Sequence, residues 1–204
     1  MYNIVKKIPA GVIRRKGKVM KKRFIPMLFA LILMTVFVSL GMFSTTASAA
    51  ETTPSGTCGD NLTWTLDDEG TLTISGTGSM YDYSYSSSAP WYSYRSSIKS
   101  VVIGDSVTSI GDYAFRYCSS LTSVVIPDSV TSIGNDAFYS CGSLTSVVIG
   151  DSVTSIGEGA FYYCSALKDV YYTGNEEEWQ AIAIDSGNSA LTNATIHYNY
   201  VPEN

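Results

Sequence analysis

The chain has 204 residues, with 13 basic and 18 acidic side chains. Nine of the basic residues precede residue 50 and all 18 acidic residues follow it, so the chain from Ala50 onward has a formal charge of −14. This charge excludes binding to nucleic acid through phosphate contacts and electrostatic adhesion to anionic lipid, since both need clustered Lys and Arg.

The first 49 residues are typical of a secretory signal peptide. The basic segment Met20–Arg23 precedes a mostly apolar stretch, Phe24–Phe43, and the small-residue pattern Ala47-Ser48-Ala49 follows. This order predicts cleavage after Ala49; the alternative is a retained membrane anchor, because about 20 apolar residues can span a bilayer. Met20 is a natural start, so we interpret residues 1–19 as a mis-called start. We therefore expect a secreted or cell-surface protein with no membrane attachment after cleavage.

Residues 50–97 are predicted to form an N-terminal cap that contains a β-hairpin. Alternating apolar residues in Leu62–Leu66 and Thr71–Ser75 flank Asp67–Gly70, which has the composition of a turn. An aromatic segment follows and includes Trp91, Tyr92 and Tyr94. These three side chains have two interpretations: they cover the first unit of the next segment, or they form a glycan-binding patch.

A 23-residue repeat follows the cap. Its three complete units are Val107–Ser129, Val130–Ser152 and Val153–Asn175, with no insertion between them. A unit this short cannot bury its own apolar edge, whereas stacked units cover one another. The repeat therefore predicts a solenoid with short parallel strands, in which equivalent side chains form columns through the core. The columns include Ile110/Ile133/Ile156, Phe115/Phe138/Phe161, Cys118/Cys141/Cys164 and Leu121/Leu144/Leu167.

The spacing within one unit predicts its local structure. Leu121, Val124 and Ile126 have the alternation of a strand, and Pro127–Ser129 is a turn sequence. Val130–Ile133 is a second extended piece that Gly134 ends. Ala137, Phe138 and Cys141 have helical spacing, which predicts about one helical turn.

Degraded units flank the complete ones. Trp91–Tyr92 is in register with Ala114–Phe115, and Ile98 is in register with Leu121, so we place the repeats at 98–175. Residues 176–204 are then a C-terminal cap. Asn175 and Glu178 have capping-box spacing, which predicts a short helix to about Ile184, and 195–198 is predicted to add a strand.

The strand pattern and the following IGxxAFxxC segment resemble the BspA-like (Treponema pallidum-type) leucine-rich repeat over roughly residues 98–184. The resemblance implies a curved solenoid at the cell surface or outside the cell. Some members of that family are adhesins that bind host or partner-cell proteins.

The sequence gives little indication of catalysis, metal binding or a cofactor. His197 is the only histidine, and no Ser or Cys nucleophile motif lies near it. A thiolate metal site in the cysteine column is disfavoured, since residues stacked every 23 positions form a line rather than a tetrahedron. We therefore expect a non-enzymatic protein without metal or cofactor.

The strand alternation indicates where a partner binds. If Val124 and Ile126 point inward, their neighbours Ser123 and Val125 point outward. The equivalent residues form an outward surface on the concave face, where exposed apolar side chains often mark partner contacts. The predicted site comprises Val102, Ser123, Val125, Ser146, Val148, Asp169 and Tyr171. The leading hypothesis is an adhesin-like scaffold for a host or bacterial protein; the alternative is a carbohydrate-binding module that uses Trp91, Tyr92 and Tyr94.

Overall fold

The computed structural model describes residues 53–202, so the predicted signal peptide and its cleavage site lie outside the described residues. Within this range, no helix is long and apolar enough to cross a membrane.

The N-terminal cap begins with three antiparallel strands. Strands β1 (Ser55–Gly59), β2 (Leu62–Leu66) and β3 (Thr71–Gly76) follow one another in space as in sequence. Leu62, Trp64 and Leu66 are buried, whereas the threonines between them are exposed. In the β2–β3 turn, Asp67 Oδ1 accepts the N–H groups of Glu69 at 3.0 Å and Thr71 at 2.7 Å. The turn sequence thus sets the hairpin register that places this apolar face on the core.

Each coil of the repeat adds one strand to each of two sheets. In the larger sheet the repeat supplies β5 (Ser100–Ile103), β7 (Ser123–Ile126), β9 (Ser146–Ile149) and β11 (Asp169–Tyr172), and the C-terminal cap supplies β13 (Thr195–His197). The smaller sheet contains β4 (Gly78–Ser79), β6 (Val107–Ile110), β8 (Ser132–Ile133), β10 (Ser155–Ile156) and β12 (Ala183–Ile184). The order of the larger sheet is β1-β2-β3-β5-β7-β9-β11-β13, and that of the smaller is β12-β10-β8-β6-β4. From β3 onward the larger sheet is parallel. Between β5 and β11 each residue pairs with the one 23 positions along, as in Val124 opposite Val147, whereas at the two ends Thr71 pairs with Ser100 and Asp169 pairs with Thr195. The predicted leucine-rich-repeat solenoid is confirmed.

The third side of each coil is a series of turns, and the prediction of one helical turn there is wrong. Phe115 N–H donates to the carbonyl of Ala137, and Phe138 N–H to that of Ala160, each at 2.7 Å. The N–H of Cys118 instead closes a local turn on the Phe115 carbonyl at 3.1 Å. A helix would keep all these bonds within the segment, whereas here alternate N–H groups point to the next coil. Left-handed φ angles allow this alternation at Tyr113, Tyr117, Asp136, Ser140 and Tyr163.

The core contains a column of stacked rings along the solenoid. The ring centroids of Phe115 and Phe138 are 5.1 Å apart, and so are those of Phe138 and Phe161. The ring planes of each pair are nearly parallel. Trp91 extends the column at 5.7 Å from Phe115. The cysteine column lies beside it, and the Cys141 and Cys164 thiols donate to the carbonyls of Phe115 and Phe138 at 3.2 and 3.1 Å.

The C-terminal cap begins with helix α1 (Glu176–Ala181). Asn175 Oδ1 accepts the Glu178 N–H at 3.0 Å, and Glu178 Oε2 accepts the Asn175 N–H at 2.8 Å, which is the predicted capping box. The helix ends before Ile184, because Ala183–Ile184 continues the smaller sheet as β12. A second short helix, α2 (Ser189–Thr192), precedes β13.

Candidate interaction surface

The outward face of the larger sheet is open, and we call it the open face. Val102 and Val125 are each 50% exposed there, whereas their neighbours Val101 and Val124 are 5% and 2% exposed. Strand alternation therefore puts one valine of each pair in the core and the other in solvent.

The predicted site residues lie in two rows on this face. Ser123 pairs with Ser146, and Ser146 with Asp169; Val125 pairs with Val148, and Val148 with Tyr171. Parallel strands lie about 4.8 Å apart, so each row brings its side chains together. Ser123 is exposed, and Ser146, Val148, Asp169 and Tyr171 are half-buried.

An aromatic cluster ends the valine row. Tyr171 stacks on His197 with ring centroids 4.7 Å apart, and Tyr200 lies 4.8 Å from Tyr171. His197 Nε2 lies 2.8 Å from Asp169 Oδ1, and this contact links the C-terminal ends of the two rows. The 23-residue spacing does not predict His197 and Tyr200 at this position, because both residues follow the repeats and Tyr171 pairs with His197 outside that spacing.

Trp91 is a core residue, and the alternative that it belongs to a glycan-binding patch is wrong. It is 1% exposed, its Nε1–H donates to the Ala114 carbonyl at 2.8 Å, and its ring stacks on Phe115. Tyr92 is half-buried beneath the Arg95 guanidinium, and Tyr94 is 39% exposed. Core packing, rather than ligand contact, accounts for the tryptophan, and Trp91 takes the place in the column that the repeat register gives to Tyr92.

The three repeat cysteines lie in the core and away from the open face. Burial raises the pKa of Cys118 and of Cys164 to about 12, and it raises that of Cys141 well above its usual value. Thiols in this environment are poor metal ligands, because binding requires the thiolate. Within residues 53–202, no three His, Cys, Asp or Glu side chains come together as a metal site would require.

Comparison with known proteins identifies the repeat. Six copies of the BspA type leucine-rich repeat region match residues 88–202, so the match extends into both segments predicted as caps. No curated protein sequence matches the chain.

Solved structures of leucine-rich repeat proteins are similar to this chain, and three of them are compared below. A leucine-rich repeat protein of Eubacterium ventriosum is 28% identical over 58% of this chain and 44% of its own, with a TM-score of 0.42. A leucine-rich cell surface protein of Faecalibacterium prausnitzii is 25% identical over 64% of this chain and 42% of its own, also with a TM-score of 0.42. The T. pallidum leucine-rich repeat protein is 24% identical over 53% of this chain and 67% of its own, with a TM-score of 0.35.

The chain thus spans less than half the length of the first two proteins. Because the repeat match covers more than half of its residues, the chain belongs to the BspA type leucine-rich repeat family.

Proposed function

We propose that the protein is a secreted or cell-surface scaffold that binds another protein through the open face. The observation that carries this proposal is the half exposure of Val102 and Val125 in register on adjacent strands. Apolar side chains exposed in a continuous row lose water contact when a partner covers them, and burial of apolar area is the main driving force of association.

The composition of the face suits a protein partner. The valine row would form the apolar centre of an interface, while the parallel row of Ser123, Ser146 and Asp169 would form a polar border. Tyr171 and Tyr200 add aromatic surface at one end, and tyrosine is over-represented among the residues that dominate binding energy. Six adjacent strands from β3 to β13 give the face a length of about 24 Å.

The predicted signal peptide supports a location outside the cytoplasm, where the partner would be a host or bacterial surface protein. The family match supports a scaffold, since solenoid repeats present extended binding surfaces. An adhesin-like role is the specific form of this function that we propose.

The test is binding of the purified protein to an array of extracellular-matrix proteins, bacterial surface proteins and glycans. A Val125→Glu/Val148→Glu variant places two charges at the centre of the open face, where a partner would have to bury them. Ser143→Glu/Ser165→Glu adds the same two charges at exposed positions outside the sheets and serves as the control.

We expect binding to a protein that the control retains and that the valine variant loses while both keep the wild-type melting temperature. Equal binding by the two variants would place the site elsewhere. Binding to glycans alone would contradict a protein partner.

A further inference from the structure

The turn side of the solenoid contains a groove of about 500 Å³, which we call the tyrosine groove. It is separate from the open face, since it is formed by the turns and not by the larger sheet. The rings of Tyr113, Tyr139 and Tyr162 line it together with the carboxylates of Asp136 and Glu158. Its remaining lining is Asn135, Gly159 and Gly187.

The charge of the groove selects among possible ligands. Two carboxylates and no basic side chain line it, so an anionic ligand would meet repulsion. The excess of acidic residues from Ala50 onward adds a negative field that attracts cations over a longer range. A cationic group is the ligand class that complements these walls.

The protein already holds one cation in this chemical environment. The guanidinium carbon of Arg116 lies 3.8 Å from the ring centre of Tyr85, 4.5 Å from that of Tyr117 and 4.8 Å from that of Tyr139. Arg116 is 5% exposed, and its Nη2 donates to the hydroxyl groups of Tyr85 and Tyr117. Among the described residues, no carboxylate lies within 4.0 Å of the guanidinium as an ion-pair partner. Asp136 lies beyond that distance but still acts on the guanidinium, since burial raises the pKa of Asp136 and the positive charge of Arg116 opposes this rise. Tyrosine rings and hydroxyls with one nearby carboxylate therefore hold a buried guanidinium on this side of the solenoid.

The repeat explains why the tyrosine groove contains no arginine side chain of its own. The residues equivalent to Arg116 in the next two coils are Tyr139 and Tyr162, so those coils supply rings but no cation of their own. Tyr113 and Tyr139 contribute both to the surroundings of Arg116 and to the groove. Asp136 acts on both sites, and the groove adds the carboxylate of Glu158.

We propose that the tyrosine groove binds the guanidinium group of an arginine presented by a peptide or protein segment. The planar guanidinium can stack on a tyrosine ring and donate to Asp136 or Glu158 through its edge. An ammonium group is more strongly hydrated and lacks this planar face, which makes lysine the weaker ligand.

The test is calorimetric titration of the purified protein with a blocked pentapeptide that contains two arginines. The same peptide with citrulline in place of arginine keeps the shape and loses the charge. We expect the arginine peptide to bind on the order of tenfold more tightly than the citrulline peptide, as a charge-assisted contact requires. Equal binding of the two peptides, or no binding of either, would overturn the proposal.

Variants locate the site. Asp136→Asn/Glu158→Gln removes both carboxylates while asparagine tolerates the left-handed φ of 51° at position 136. Glu176→Gln/Glu177→Gln removes the same charge from the exposed start of α1 and is the control. We expect about a tenfold loss of affinity in the first variant and none in the control.

A second groove variant, Tyr162→Leu, tests the ring without altering charge. It should also weaken the arginine peptide, whereas Val125→Glu/Val148→Glu should leave its affinity unchanged. Wild-type affinity in both groove variants would refute the site, and tighter binding of a neutral oligosaccharide than of the arginine peptide would refute the ligand class.

Discussion

The ring of Phe138 lies 5.1 Å from that of Phe161, with only 14° between their planes. The two residues are 23 positions apart and occupy the same place in consecutive coils. Phe138 therefore contacts a ring on each side, and both neighbours lose a partner if it is truncated.

Phe138→Ala is expected to reduce the free energy of unfolding by about 3–5 kcal/mol, the cost of removing a phenyl ring from a packed core. Phe138 is fully buried, and its neighbours in the column are held by their own coils, so the cavity should collapse only in part. Urea unfolding followed by circular dichroism measures the change. Val201→Ala, at a residue that is 80% exposed, should stay within about 0.5 kcal/mol of wild type. A Phe138→Ala protein as stable as this control would disprove the column.

The buried cysteines are expected to resist alkylation in the native protein. The reactive form is the thiolate, and burial raises the pKa of Cys118 and Cys164 to about 12, so little thiolate forms at about pH 8. Iodoacetamide followed by mass spectrometry should leave both residues unmodified until guanidinium chloride unfolds the chain. Rapid labelling of Cys118 and Cys164 without denaturant would contradict the burial of these two thiols in the native protein.

Asn188 should be sensitive to the smallest change of its side chain. Its Oδ1 accepts the Phe161 N–H at 3.0 Å, and its Nδ2 donates to the carbonyls of Gly157 and Asp185, each at 2.9 Å. Asn188→Asp keeps the shape but replaces the donor with a carboxylate facing two carbonyls. We expect a loss of at least about 2 kcal/mol at neutral pH.

The pH dependence of the Asn188→Asp variant separates charge from shape. The two carbonyls and the burial should raise the pKa of the new carboxyl in the folded state. Its protonated form, which can donate one hydrogen bond, should therefore restore part of the stability as the pH falls toward 4. A loss that is independent of pH would assign the effect to packing instead.

Sequence spacing was sufficient for the parts of the fold that repeat. The phenylalanine and valine columns follow from the 23-residue period. The same period puts Tyr92 in register with Phe115, but the ring that stacks on Phe115 is that of Trp91. Its burial then decided against the glycan-binding alternative for this residue. The capping box at Asn175 was also predictable, because it depends on two residues three positions apart.

Other features depend on contacts that spacing does not encode. The spacing of Ala137, Phe138 and Cys141 fits both a helical turn and a series of turns, and only the bonds to the next coil distinguish them. Arg116 receives its tyrosines from three separate segments, so no local pattern indicates its burial. Likewise, the stacking of His197 on Tyr171 depends on how β13 pairs outside the repeat.

An NMR footprint of the valine methyl groups would show whether a protein partner covers the open face. Spectra would be recorded with and without the protein captured in the binding screen. We predict that the signals of Val102, Val125 and Val148 shift, while those of the buried Val107, Val130 and Val153 do not. Unchanged signals from the first three valines in a saturated complex would contradict the proposed face.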